Sequence, residues 1–180
     1  VDLIKGLGIC AGMEVPFVEG ATGAKRTDFA AKGRKALELL KSDVDFVYIH
    51  VEAPDESGHA GDVQCKIDAI EAIDKDILGY LENGLRAAGE EYAIMLLPDH
   101  PTPIEIRTHS TDPVPFVLYR SDAERRGPAV YTEASAASTG LHEAPGYTLM
   151  QKLTGLEIQE VFPCRAIPLL WIREYCRTNT

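Results

Sequence analysis

The sequence predicts an α/β fold: a mainly parallel sheet with helices on both faces. Segments of helical apolar period alternate along the chain with short runs dense in β-branched, aromatic and aliphatic residues, the pattern of strands joined through helices. The runs at 44–51 and 92–97 are apolar almost throughout, as parallel strands covered on both faces require. Each run leads into an island that holds Asp and His, and open α/β sheets bind their ligands beyond the carboxyl ends of the strands.

Residues 1–11 place Leu3, Ile4, Leu7 and Ile9 at near-helical spacing, Gly12 supplies a stop, and a short extended run follows at 14–18. Gly20-Ala-Thr-Gly23 reads as a loop, because no Gly-Lys-Ser/Thr follows to make it a phosphate cradle. Thr27 and Asp28 can cap a helix through Ala31, Ala36, Leu37, Leu39 and Leu40, with Lys32, Arg34, Lys35 and Lys41 as a solvated basic face. The strand at 44–51 then runs into Asp55-Glu-Ser-Gly-His59. Residues 62–88 give the clearest helix, with Val63, Ile67, Ile70, Ile77, Leu81 and Leu85 on one apolar stripe and Gly89 at its end. The strand at 92–97 closes at Pro98 and is followed at once by Asp99-His100. Residues 101–112 have no period and read as a loop around His109. A third strand at 114–119 is opened by Pro113 and Pro115, where proline removes few ladder donors. A small-residue stretch at 135–140 precedes a helix carrying Leu149, Met150 and Leu153. Residues 157–180 include Trp171 but no site-like cluster, so the expected organisation is one domain segment, 1–156, and a C-terminal tail, 157–180.

A chain of 180 residues is long enough to bury a real core, and 45% hydrophobic with 26% charged residues is the composition of a soluble globular protein. The net charge of −10 argues against nucleic acid and anionic membrane as main partners. It suits a protein that concentrates cations, and plain solubility accounts for it equally well. Cys10, Cys65, Cys164 and Cys176 make no Cys-x-x-Cys pair and read as scattered reduced thiols. With no secretory signal pattern and no run near the ~20 apolar residues that cross a bilayer, the expected location is the cytoplasm. The chain opens on Val1, inside a periodic segment, as a piece of a longer protein would.

Taken singly, Asp55 and Asp99 are ordinary caps or turn formers and His59 ordinary loop surface. His50 lies within a strand and reads as a packing residue, and His142 as exposed. Two Asp/His islands at two strand ends, with His109 after the second, point instead to metal. Carboxylate and imidazole together suit Zn²⁺, Mn²⁺ or Fe²⁺ better than Ca²⁺ or Mg²⁺. Asp55, His59, Asp99, His100 and His109 are too many ligands for one tetrahedral ion; two ions ~3.5–4 Å apart would use them all, a device of phosphoryl transfer. No Gly-x-Ser-x-Gly elbow, dinucleotide fingerprint or Cys/His arrangement competes.

The order Asp55-x-x-x-His59, then Asp99-His100 after an apolar strand, then Thr108-His109-Ser110 ahead of Asp112-Pro-Val-Pro115, resembles the metal-ligand series of the cofactor-independent phosphoglycerate mutases, within the alkaline phosphatase superfamily. Val1-Asp-Leu-Ile-Lys-Gly-Leu7, Gly20-Ala-Thr-Gly23 and His50-Val-Glu-Ala-Pro-Asp-Glu-Ser-Gly-His59 are similar to the archaeal-type branch, and the likeness covers roughly residues 1–156. It implies an alkaline-phosphatase-like fold, here a partial domain. It further implies one metal on Asp55, His59 and His109, a second on Asp99 and His100, and two divalent ions, typically manganese, with zinc or magnesium as alternatives. The substrate implied is phosphoglycerate or a similar small phosphorylated metabolite. The family's nucleophilic serine and its inserted domain match nothing here, so the resemblance implies a C-terminal segment without mutase activity of its own. It assigns Lys32 no role and does not bear on oligomeric state. Two alternatives stay open: a metal-dependent phosphatase or other phosphotransferase of the same superfamily, including relatives labelled homoserine kinase, and a non-catalytic α/β domain.

Overall fold

The computed structural model of the chain describes residues 2–123 and 127–155. They fall into two units, a smaller one that combines Asp2–Val15 with the segment starting at Pro145, and a larger one, Pro16–Ala144, that holds every candidate ligand.

In the smaller unit α1 (Asp2–Cys10) forms where the apolar spacing predicts it and stops at Gly12, whose φ of 76° suits glycine. None of its residues is buried. The extended run expected at 14–18 makes no strand; Pro16 cannot donate to a ladder.

The larger unit begins with α2 (Phe29–Leu40), capped by the Asp28 side chain, which accepts from the Ala31 amide at 2.7 Å. Residues 44–51 differ from expectation. They join no ladder among the described residues; Val47, Ile49 and Val51 pack against the core while Tyr48 between them is exposed. This alternation is that of a run covered on one face only. Its apolar content reported burial, and pairing requires a neighbour that composition does not specify.

The island after this run is helical, as α3 (Ala53–Ala60), with Pro54 in its first turn and Gly61 at φ 67° closing it. Next comes a continuous helical run made of α4 (Val63–Ala72), a π-helical segment (Ile73–Gly79) and α5 (Tyr80–Ala88), capped by Asp62 and ended by Gly89. The helix predicted at 62–88 is therefore present, but its apolar stripe is not one stripe. A π segment slips the α register by about one residue, about 100° of rotation. Ile77, Leu81 and Leu85 beyond it are buried, whereas Val63, Ile67 and Ile70 before it are 54%, 43% and 50% exposed and Ala69 takes the inner side of α4.

Strands β1 (Ala93–Leu96) and β2 (Val117–Arg120) form where two of the runs were expected, but they pair antiparallel, Ala93 opposite Arg120 and Leu96 opposite Val117. The mainly parallel sheet is thus not what the described residues contain: their sheet has these two strands. Parallel pairing needs a crossover, usually a helix, and residues 97–116 between the strands contain none. The small-residue stretch after β2 is itself α6 (Glu133–Ser138), with Thr132 and Ser135 capping reciprocally. Back in the smaller unit, α7 (Leu149–Thr154) follows a single 3₁₀ turn and buries Leu149, as the spacing predicted.

Ala36 and Leu37 of α2 pack with Ile77, Leu81 and Leu85, and Phe29, Leu40, Ile73 and Tyr92 complete that core. Cys10 and Cys65 carry no disulfide. Cys164, Cys176, Trp171, the tail and its boundary at 156 lie outside the described residues. Among the described residues no helix is long and apolar enough to cross a membrane.

Gly33 admits α2 to the π segment: a Cβ there would sit 2.5 Å from the Asp76 carbonyl oxygen. Gly33→Ala is expected to cost about 1–3 kcal/mol, the usual range for overpacking against an unyielding neighbour, read as a lower midpoint in urea unfolding. Gly84→Ala meets only the flexible end of Leu37 and should cost less.

Candidate metal centre

Helix α3 sets Asp55 and His59 one turn apart, so both side chains leave the same face. The loop between β1 and β2 brings His109 to them. His59 Nε2 stands 3.4 Å from Asp55 Oδ2, His109 Nε2 stands 3.4 Å from Asp55 Oδ1, and the two Nε2 atoms are 3.1 Å apart. Ligand atoms about 2.0–2.1 Å from a tetrahedral ion are about 3.3 Å from one another, so the triangle has the edge lengths of a shared coordination sphere.

Protonation agrees with this. His59 Nδ1 lies 3.0 Å from the Arg107 carbonyl oxygen, which can only accept, so the ring proton sits on Nδ1 and the Nε2 lone pair faces His109. A neutral imidazole oriented from behind by a carbonyl is the usual state of a histidine ligand. Arg107 aims that carbonyl from a left-handed backbone, φ 54°, held by its own amide bonding to Pro103 O at 2.9 Å. Such a conformation costs a non-glycine residue about 1–3 kcal/mol and persists where surrounding bonds impose it. Ser110 N to Pro101 O, 3.2 Å, folds the same loop back so that His109 reaches α3.

Asp99 and His100 sit beside the triangle. The His100 ring lies 3.7 Å, centroid to centroid, from that of His109, and its Nε2 is 3.5 Å from Asp99 Oδ2. They form no further ligand group of three among the described residues. Partial burial, and after it the nearby Asp99 carboxylate, hold the Tyr48 phenol above its ordinary range. His50 stays outside the cluster, its ring parallel to Tyr48 and its Nδ1 3.9 Å from Glu52 Oε1. His142 is exposed.

Three residues that sequence reasoning passed over support the ligands. Thr102 is 5% exposed and its hydroxyl donates to Asp55 Oδ1; Gly58 lets α3 approach it, and Arg107 orients His59. A helix through 53–60 was signalled by Pro54, the four-residue Asp55/His59 spacing and Gly61. Lys32 also gains a place: its ammonium donates to the His50 carbonyl at 2.8 Å, tying α2 to the run before α3, so the basic face of α2 is not wholly solvated.

The carboxylate and two imidazoles fit a divalent transition metal or zinc in donor type and spacing. The family model of the Metalloenzyme superfamily matches residues 1–154. The 2,3-bisphosphoglycerate-independent phosphoglycerate mutase of Methanothrix thermoacetophila is 52% identical over 153 residues, 85% of this chain and 39% of that protein. A probable enzyme of the same description from Geobacter sulfurreducens is 46% identical over 154 residues, 85% of this chain and 38% of that one. Among solved structures, a Pyrococcus horikoshii protein is 33% identical with a TM-score of 0.78, over 86% of this chain and 46% of that chain. The chain thus spans under two-fifths of the length of these curated relatives.

Dialysis of the chain against Mn²⁺ or Zn²⁺ is expected to leave metal that elemental analysis detects. The joint Asp55→Ala and His59→Ala variant should lose it, and His50→Gln should keep it.

Proposed function

Because the chain belongs to the Metalloenzyme superfamily, we propose that it carries the larger share of the metal centre of a 2,3-bisphosphoglycerate-independent phosphoglycerate mutase of the archaeal type. The observation that supports this reading is the triangle of Asp55, His59 and His109, whose ligand atoms all lie within 4.8 Å of one another, in a chain about half identical to relatives bearing that description.

In this reading Asp55, His59 and His109 hold one divalent ion. Asp99 and His100 contribute to a second, completed by side chains from the part of the protein that this chain does not span. Manganese is the proposed metal, with zinc and magnesium as alternatives. When bound, such ions lower the charge cost of phosphoryl transfer and position the attacking and leaving oxygens. His59 presents its Nε2 lone pair because Arg107 holds the proton on the other nitrogen. Asp55 uses both oxygens, one toward each imidazole. The nucleophilic serine, which takes the phosphoryl group from one hydroxyl of phosphoglycerate and returns it to the other, belongs outside the stretch covered here, and so do the contacts that select the substrate. Residues 1–156 form the domain segment, the tail from 157 has no assigned part, and a glycolytic role would put the protein in the cytoplasm.

A superfamily shared by several reactions keeps a phosphatase or another phosphotransferase as the second reading. Product analysis with the full-length protein separates them. The mutase reading expects interconversion of 3- and 2-phosphoglycerate with added Mn²⁺. It also expects at least about a thousandfold loss in His59→Ala, since removing a ligand forfeits several kcal/mol of charge stabilisation. Hydrolysis of a generic phosphate ester with phosphoglycerate left unchanged would replace it by the phosphatase reading. The 180-residue chain alone is expected to leave 3-phosphoglycerate unconverted.

A further inference from the structure

We propose that Thr102 is a positioning residue for the metal centre, joining the ligands of the first ion to those of the second through one buried hydroxyl; this rests on the two-metal reading above. Among the described residues the buried polar side chains are Ser57 and Thr102. Ser57 makes the routine bond of a helical serine to the carbonyl four residues back, Ala53 O at 2.7 Å. Thr102 bonds across segments. Its Oγ1 donates its single proton to Asp55 Oδ1 and lies 3.4 Å from His100 Nδ1.

A threonine hydroxyl has one proton to give and lone pairs to receive. With that proton committed to the carboxylate, the oxygen can only accept from His100 Nδ1, which places the imidazole proton there and leaves the Nε2 lone pair on the side of Asp99 Oδ2, 3.5 Å away. One hydroxyl therefore orients the Asp55 carboxylate and selects the His100 tautomer, the task of the outer partners of metal ligands.

Thr102 is fixed to do this from two other directions. Its carbonyl accepts from Lys66 Nζ of α4 at 2.7 Å. Its backbone and methyl press on α3 at Gly58, where a Cβ would fall 2.6 Å from Thr102 O and 2.9 Å from its Cγ2.

The test is a Co²⁺ titration of the 180-residue chain, followed by visible absorption, in the wild type, Thr102→Val and Thr102→Ser, with circular dichroism as a fold check. Valine keeps the shape and loses the hydroxyl; serine does the reverse. The proposal expects valine to weaken Co²⁺ binding about 10–100-fold and alter the absorption bands, and serine to keep the wild-type isotherm and spectrum. A valine variant that binds as the wild type overturns it, and so does a serine variant that loses affinity, because a packing role for the methyl against Gly58 would spare valine and penalise serine. If valine fails to fold, the serine result alone decides. A wild type that binds no Co²⁺ removable by Asp55→Ala overturns the metal reading, and this inference with it.

Discussion

One contact in the core is backbone to backbone, where Gly33 of α2 meets the carbonyl of Asp76 in the π segment with no room for a Cβ between them. Neither side is a flexible side chain, so the separation of α2 from the 63–88 run is set by covalent geometry. Close-packed interiors transmit such a constraint rather than absorb it. Lys32, the neighbour of Gly33, reaches the His50 carbonyl and ties down the end of the 44–51 run. Val47, Ile49 and Val51 of that run rest on the same core. Helix α3 starts two residues later, so the seating of Asp55 and His59 traces back through two contacts to one glycine.

The other half of the centre is loop, and its order has a different origin. Pro98, Pro101 and Pro103 remove backbone freedom from the unfolded chain as much as they shape the folded one. Hydrogen bonds from Arg107 to Pro103 and from Ser110 to Pro101 close the segment on itself. His109 is therefore delivered by a stiff loop to a rigid helix. A ligand triangle with edges of 3.1–3.4 Å needs that precision from both partners.

Much of the site was legible in the sequence because ligand chemistry leaves a signature in residue type and order. Asp55, His59 and His109 stand out as polar residues against apolar runs, and the structure brings them together. The residues behind them were not legible. Thr102 and Gly58 are common residue types whose importance lies in what they touch across forty-odd positions, and no local pattern records that. Arg107 acts through its backbone, which its side chain does not advertise. In the fold, α1, α2, the 62–88 run and α7 followed from period and caps, which are local properties. The parallel sheet did not follow, because strand direction and partner are long-range choices: 92–97 and 114–119 pair with each other, and 44–51 was recognisable as inward-facing but not as unladdered. The π segment was invisible for a further reason. The six apolar residues fall on one perfect α stripe, and a register slip in the backbone leaves no trace in their spacing.

That slip has a genetic meaning. A π turn is what an α-helix looks like when it carries one residue more than its turns can hold, and in this helix the extra residue lies within Ile73–Gly79. Losing one residue there would restore an unbroken α-helix and swing Val63, Ile67 and Ile70 by about 100° relative to Leu81 and Leu85. The same loss would shift the carbonyl that Gly33 is shaped to meet. A one-residue insertion or deletion in the middle of this helix would therefore disturb its fit to the glycine on its neighbour, unlike one in a surface turn.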